Sequence, residues 1–166
     1  MKPIRSATSD LLGLIWLVSS CAQPTPTHPE VAGQPLSERE RVPVEIAAES
    51  GPARFSAEIA DTPDERALGM MWRTSMKDDD GMIFLFPSSR PLSFWMKNTL
   101  ISLDMVFIKG DKTVLGVVED AMPRTESRRS VPGDSQFVLE VKGGTAKRLG
   151  IRSGQQVDFY APLPSR

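Results

Sequence analysis

The sequence predicts a mainly β domain with two short helices, α+β in class, closed into one compact barrel-like or sandwich-like unit. Three observations predict it. Short apolar runs, alternating or continuous, recur between turns rich in Gly, Pro and Asp. Only two stretches carry the punctuation of a helix start or stop. At 166 residues, 40% apolar and 25% charged, the chain holds one domain of about 120 residues plus extra sequence, and two full domains would not fit.

The elements follow in chain order. VEIA at 44–47 and ARFSAEI at 53–59 alternate apolar and polar around Ser50, Gly51 and Pro52, the pattern of a hairpin. Thr62-Pro63-Asp64-Glu65 places an N-cap Thr, a Pro at the first helical position and a Glu three residues after the cap, so a short helix is expected over 63–72. MIFLF at 82–86 is apolar on both faces until Pro87, as a strand covered on both sides requires. Further strands are expected at 92–97, 103–108, 114–119 and 136–142, with a turn at 109–112 and a polar loop over 121–135. Gly143 and Gly144 lead into a second short helix at 145–149, closed by Gly150, and a last strand covers 157–160.

The N-terminal end reads as an address. Lys2 and Arg5 precede LLGLIWLVSS at 11–20, a charged-then-apolar layout that stops at Cys21. The run is too short to span a bilayer, which takes about 20 apolar residues. Val18-Ser19-Ser20-Cys21 resembles a bacterial lipobox, so residues 1–20 are expected to be a lipoprotein-type signal peptide and Cys21 the lipidated N-terminus. Ala22 after it resembles a signal for sorting onward to an outer membrane. The expected location is therefore the bacterial cell envelope: an exported, periplasm-facing lipoprotein whose membrane partner is reached through a diacylated Cys. Residues 21–41, with Pro at 24, 26, 29 and 35, cannot bury enough surface to fold and serve as a tether to the domain at 42–162; residues 163–166 are a tail.

Composition removes several kinds of chemistry. Cys21 and His28 are the only Cys and His, and both precede the foldable region. Ser-His-Asp and Cys-His catalysis, zinc clusters and structural disulfides are thereby excluded from the domain, and neither a metal nor a cofactor is expected. With 20 basic against 21 acidic residues there is no global positive field to attract nucleic acid. Seven of the eight Met lie between Met70 and Met122, where core packing explains them better than a soft metal ion. Asp78-Asp79-Asp80-Gly81 lacks the alternating acids of a calcium loop, and Arg124, Arg128 and Arg129 are expected on a solvated loop beside Glu126.

What remains is a set of charges set into apolar strands. If 92–97 is a strand, Lys97 and Asp104 face each other across a short hairpin, with Arg73 and Glu140 completing a polar cluster. Burying any of these alone costs several kcal/mol, so they must be paired or reached by water. Two arrangements are open: a pocket lined by Arg73, Trp95, Lys97, Asn98, Asp104 and Glu140, or a buried ion-pair lock that fixes strand register.

Four blocks also carry a resemblance. GMMWR at 69–73, DGMIF at 80–84, FWMKNTL at 94–100 with Leu103-Asp104, and Leu139-Glu140 with Gly143-Gly144 occur in this order. Together they resemble the family called domain of unknown function 192 over about residues 44–161. The resemblance implies export and one small β-rich domain, and it supplies no reaction, substrate or cofactor. The expected function is a lipid-anchored, noncatalytic binding or interaction module for an envelope ligand or protein. The alternative is a small hydrolase-like or lyase-like enzyme using Asp104 and Glu140 as an acid/base pair.

Overall fold

Residues 39–164 are described by the computed structural model. The signal segment, Cys21, His28 and the tether as far as residue 38 lie outside the described residues, as do residues 165 and 166 of the tail.

Alternation becomes strand where the sequence asks for it. β1 (Arg41–Ala48) and β2 (Gly51–Ala60) form the expected hairpin, and β1 begins one residue inside the span read as tether. In α1 (Pro63–Leu68) the Glu65 N–H donates to Thr62 Oγ1 at 3.2 Å and the Thr62 N–H donates to the Glu65 carboxylate at 3.1 Å, closing the capping box. The helix ends four residues before the expected position 72. Gly69 turns the chain at φ +46°, and a Cβ there would meet the Phe84 ring at 3.2 Å. After it come β3 (Asp80–Arg90), β4 (Leu103–Ile108), β5 (Val114–Ala121), β6 (Ser135–Lys142), α2 (Thr145–Leu149) and β7 (Val157–Phe159).

The seven strands make one curled sheet, a half-barrel in the order β5-β4-β6-β3-β2-β1-β7. β2 and β3 run parallel and every other neighbouring pair is antiparallel. A parallel pair needs a crossover, which α1 and the chain after it provide. The curl brings the sheet edges together at one end, where Thr113 bridges Gln156 and the Val157 N–H donates to the Lys112 carbonyl at 2.9 Å.

Two cores result. The concave face collects Val44, Ile46, Phe55, Ile83, Leu139 and Val157 from both halves of the sheet. The opposite face of β3, β6 and β4 carries Met82, Phe84, Met105, Phe107 and Val138, equally shielded from water. Strands β3 and β4 are therefore apolar on both faces, as read from the sequence for 82–86.

The cover of this second face corrects the expectation for 92–97. That segment is no strand of the sheet. Phe94 exchanges backbone hydrogen bonds with Arg129 at 2.8 Å, and the Met96 N–H donates to the Thr125 carbonyl, so it pairs with the 121–135 loop. Its alternation is real, because Leu92 and Met96 point into the second core while Trp95 is 40% exposed. A lid over a sheet has the same period as a strand within it.

Asp104 is fully buried on β4 and accepts backbone N–H groups from Asp120 (2.8 Å), Gly144 (3.1 Å) and Ala146 (2.7 Å), tying α2 to the sheet. Removing its carboxylate strands these donors at about 1–3 kcal/mol for each one left buried. Asp104→Ala is therefore expected to lower unfolding stability in urea by at least about 2 kcal/mol, more than Asp104→Asn, which keeps one acceptor oxygen. Equal stability of the alanine variant and wild type would remove Asp104 from this role.

Candidate functional site

Strand register lays a line of side chains across the second face. Glu58 of β2 pairs with Met82 of β3, Met82 with Glu140 of β6, and Glu140 with Met105 of β4. Paired residues share a face, so two buried glutamates lie in one row with a thioether between them.

Arg73, on the turn after α1, settles their charge. Its Nη1 donates to Glu58 Oε1 at 2.8 Å and its Nη2 to Oε2 at 2.5 Å, a bidentate pair. Arg41 of β1 adds a bond to Glu58 Oε1 at 2.9 Å and another to Asp80 at 2.8 Å. Burial raises the Glu58 pKa, but the two guanidinium groups outweigh it and hold the carboxyl below the ordinary glutamate value. Glu140 receives no such bond. It is 4% exposed, and burial pushes its pKa up to about 8, the nearby positive charge of Arg73 offsetting only part of that rise. No hydrogen bond within the described residues reaches its carboxyl.

Glu140 lines a cavity of about 400 Å³ between the second face and its cover. Phe84, Phe86, Leu92 and Phe94 form the walls, with Phe94 edge-on to Phe84 (4.9 Å between centroids) and to Phe86 (6.4 Å). Cations gather at the exposed part. Arg66 and Arg90 lie over the Phe86 ring at 5.0 and 5.2 Å, and Lys97 and Arg128 over the Trp95 ring at 5.4 and 5.6 Å. Of these four only Lys97 has a carboxylate within salt-bridge range among the described residues, Glu126 at 3.7 Å. The Arg66 pKa is lowered by burial and then by the like charge of Arg90.

The six candidate residues are thus partly brought together. Trp95, Lys97 and Glu140 line the cavity, and Arg73 stands close enough to Glu140 to act on its charge. Asn98 lines an adjoining cleft with Trp72 and Lys97; its carbonyl accepts the Trp72 N–H at 2.8 Å. Asp104 is elsewhere. It pairs with Val141, one position along from Glu140, so the two carboxyls point to opposite faces of the sheet. The expected Lys97–Asp104 contact and the Asp104–Glu140 acid/base pair both fail for this reason. The expected ion-pair lock exists with another carboxylate, Glu58, a polar position in the alternation of β2. Arg66 and Arg90 were missed as well, since nothing local marks an arginine that will border a cavity. Met70, Met82, Met96 and Met105 pack in the second core.

A small half-barrel with an arginine-bordered cavity against its second face defines a single-domain, mainly β protein. The model of the DUF192 family, described as "Uncharacterized ACR", matches residues 44–159, and the chain belongs to that family. Two crystal structures share its fold. One, of a Sinorhizobium meliloti 1021 protein proposed to be a transcription regulator, is 36% identical with a TM-score of 0.70, covering 73% of this chain and 95% of that one. The other, of a protein of unknown function from Novosphingobium aromaticivorans DSM 12444, is 39% identical with a TM-score of 0.72, covering 82% and 99%. No curated protein matches the chain.

The two glutamates give opposite pH dependences. Glu140 is protonated in the folded state above its unfolded pKa of 4.5, so its contribution to stability is complete below that pH and is lost as pH rises through about 8. Glu58, with its pKa lowered, contributes above 4.5 and loses that contribution as pH falls below it. Melting curves from pH 5 to 8 are expected to show stability falling by up to about 1.4 kcal/mol per pH unit, and Glu140→Gln to flatten that slope. A slope unchanged by the substitution would contradict the assignment. Glu58→Ala leaves the half-buried Arg73 without its bidentate partner and is expected to cost about 3 kcal/mol.

Proposed function

We propose that the protein is a noncatalytic binding module of the bacterial cell envelope, lipid-anchored at Cys21, whose cavity takes a small organic anion with an apolar body. The observation that carries the reading is the cavity itself: aromatic walls bordered by Arg66, Arg90 and Arg128, none of them in a salt bridge among the described residues. Arg66 donates through Nη1 to the Asp61 and Leu85 carbonyls, while Arg90 and Arg128, stacked on aromatic faces, make no side-chain hydrogen bond among the described residues and keep their N–H edges for a carboxylate or phosphate. The cavity volume lies within the range usual for small-ligand sites. A binding role is further supported by the register that separates Asp104 from Glu140, because among the described residues no second acid lines the cavity to complete an acid/base pair. The transcription role proposed for the Sinorhizobium relative is not carried over. A formal charge of −1 and helices of six and five residues favour neither phosphate attraction nor groove reading.

The anchor is supported by the charged-then-apolar segment ending at Cys21 and by the Pro-rich stretch between it and β1. Mass analysis of the membrane-extracted protein is expected to show a diacylated N-terminal Cys21. A mature chain starting at any other residue would defeat the anchoring half of the reading.

Calorimetry with benzoate and naphthoate derivatives tests the cavity. Micromolar to millimolar binding is expected, weakened about tenfold or more by the double substitution Arg90→Gln and Arg128→Gln, since a hydrogen bond to a charged group contributes about 1.5–3 kcal/mol. Affinity unchanged by that pair of substitutions would refute the anion site.

A further inference from the structure

We infer that Glu140 determines what the cavity accepts: it presents a carboxyl hydrogen to the buried end of the ligand, which must therefore carry an uncharged oxygen acceptor, such as a ketone, ester or ether, remote from its anionic group. The inference rests on the cavity reading above and names the ligand's chemistry more closely.

Geometry supplies the argument. Glu140 is 96% removed from water and lines the cavity. Its cross-strand neighbours in the row, Met82 and Met105, have no donor to offer. Both terminal nitrogens of Arg73 donate to Glu58, and its buried Nε, which has no hydrogen-bond partner among the described residues, makes no bond to Glu140 either. An ionised Glu140 would thus be a buried charge without a hydrogen bond, which costs several kcal/mol, whereas the acid form removes the charge and leaves one O–H seeking an acceptor. No group lining the cavity, the hydroxyls of Ser93 and Thr99 included, is hydrogen-bonded to this carboxyl among the described residues, which leaves the O–H for an acceptor on whatever fills the cavity. The raised pKa agrees with this state.

The charged groups facing the cavity select against the other ligand class. Arg66 from α1, Arg90 from the end of β3, Lys97 from the cover and Arg128 from the 121–135 loop are all cationic, as is Arg73 beside Glu140. Among the described residues Glu140 is the single acid lining this cavity. An ammonium group would have to pass four cations to ionise Glu140, while a neutral acceptor needs no charge compensation.

Two ligands of nearly equal shape separate these possibilities: 4-acetylbenzoate, with a ketone at the far end, and 4-isopropylbenzoate, with a methyl group in its place. The full chain is expected to bind the ketone about tenfold tighter at pH 6.5, because the apolar analogue leaves the buried O–H unpaired. Glu140→Gln keeps two N–H donors and should keep the preference. Glu140→Leu should abolish it while still binding both anions and melting no lower than wild type at pH 7. Raising the pH through 8 should erode the preference in wild type and leave it intact in the Gln variant. Equal affinity of wild type for the two benzoates, or tighter binding of 4-(aminomethyl)benzoate than of the ketone, overturns the inference. Absence of binding by every benzoate overturns the cavity reading with it.

Discussion

Arg73 has one fork of donors and two buried carboxyls within its field. Glu58 takes the whole fork, joined by Arg41, and stays ionised among apolar neighbours. Glu140 receives only the residual field and is driven to the neutral form by burial. That unequal division makes one glutamate a fastener between β2 and the turn after α1. It leaves the other as an uncommitted polar group at the buried end of the cavity. An arginine shared evenly between the two would have left neither free, and a guanidinium bonded to Glu140 as well would have favoured its ionised form.

A second constraint acts beneath this one. β3, β6 and β4 are apolar on both faces, and curling the sheet covers only the concave one. The other face is roofed by α1, the 69–76 turn, the 91–101 segment and the 121–135 loop, pieces with little regular structure of their own. Irregular chain does not fill a sheet surface as an interdigitating helix would, and the cavity is the space left over. Three of the non-glycine residues at positive φ, Trp72, Asn98 and Arg124, lie in this roof. Backbone bonds hold them there: Trp72 N–H to Asn98 and Arg124 N–H to Thr99. Strain of this kind persists where surrounding structure over-determines it, and it gathers beside functional sites.

Membership of the family and likeness to two solved structures establish the scaffold, while function follows from the side chains set upon it. Much of that scaffold was legible. Period-two alternation identified β1 and β2, a doubly apolar run identified β3, and Thr62 with Glu65 marked the start of α1 to the residue. Segment 92–97 misled because Leu92, Phe94 and Met96 alternate as strand residues do, and periodicity reports burial of one side rather than the identity of the partner. Asp104 and Glu140 were both legible as anomalies, charges within apolar strands, and the anomaly was real for each.

Their meaning was not legible, and the reason is register. Local sequence determined that this chain makes short strands with two small helices, that the first of them begins with a capping box, and that certain acids would need special treatment, since propensity, capping and alternation act over a few neighbouring residues. Tertiary structure alone decided which acid met which base. A shift of one position along β4 against β6 separates pointing into the cavity from pointing at the backbone of α2, and pairing across strands far apart in sequence sets that position.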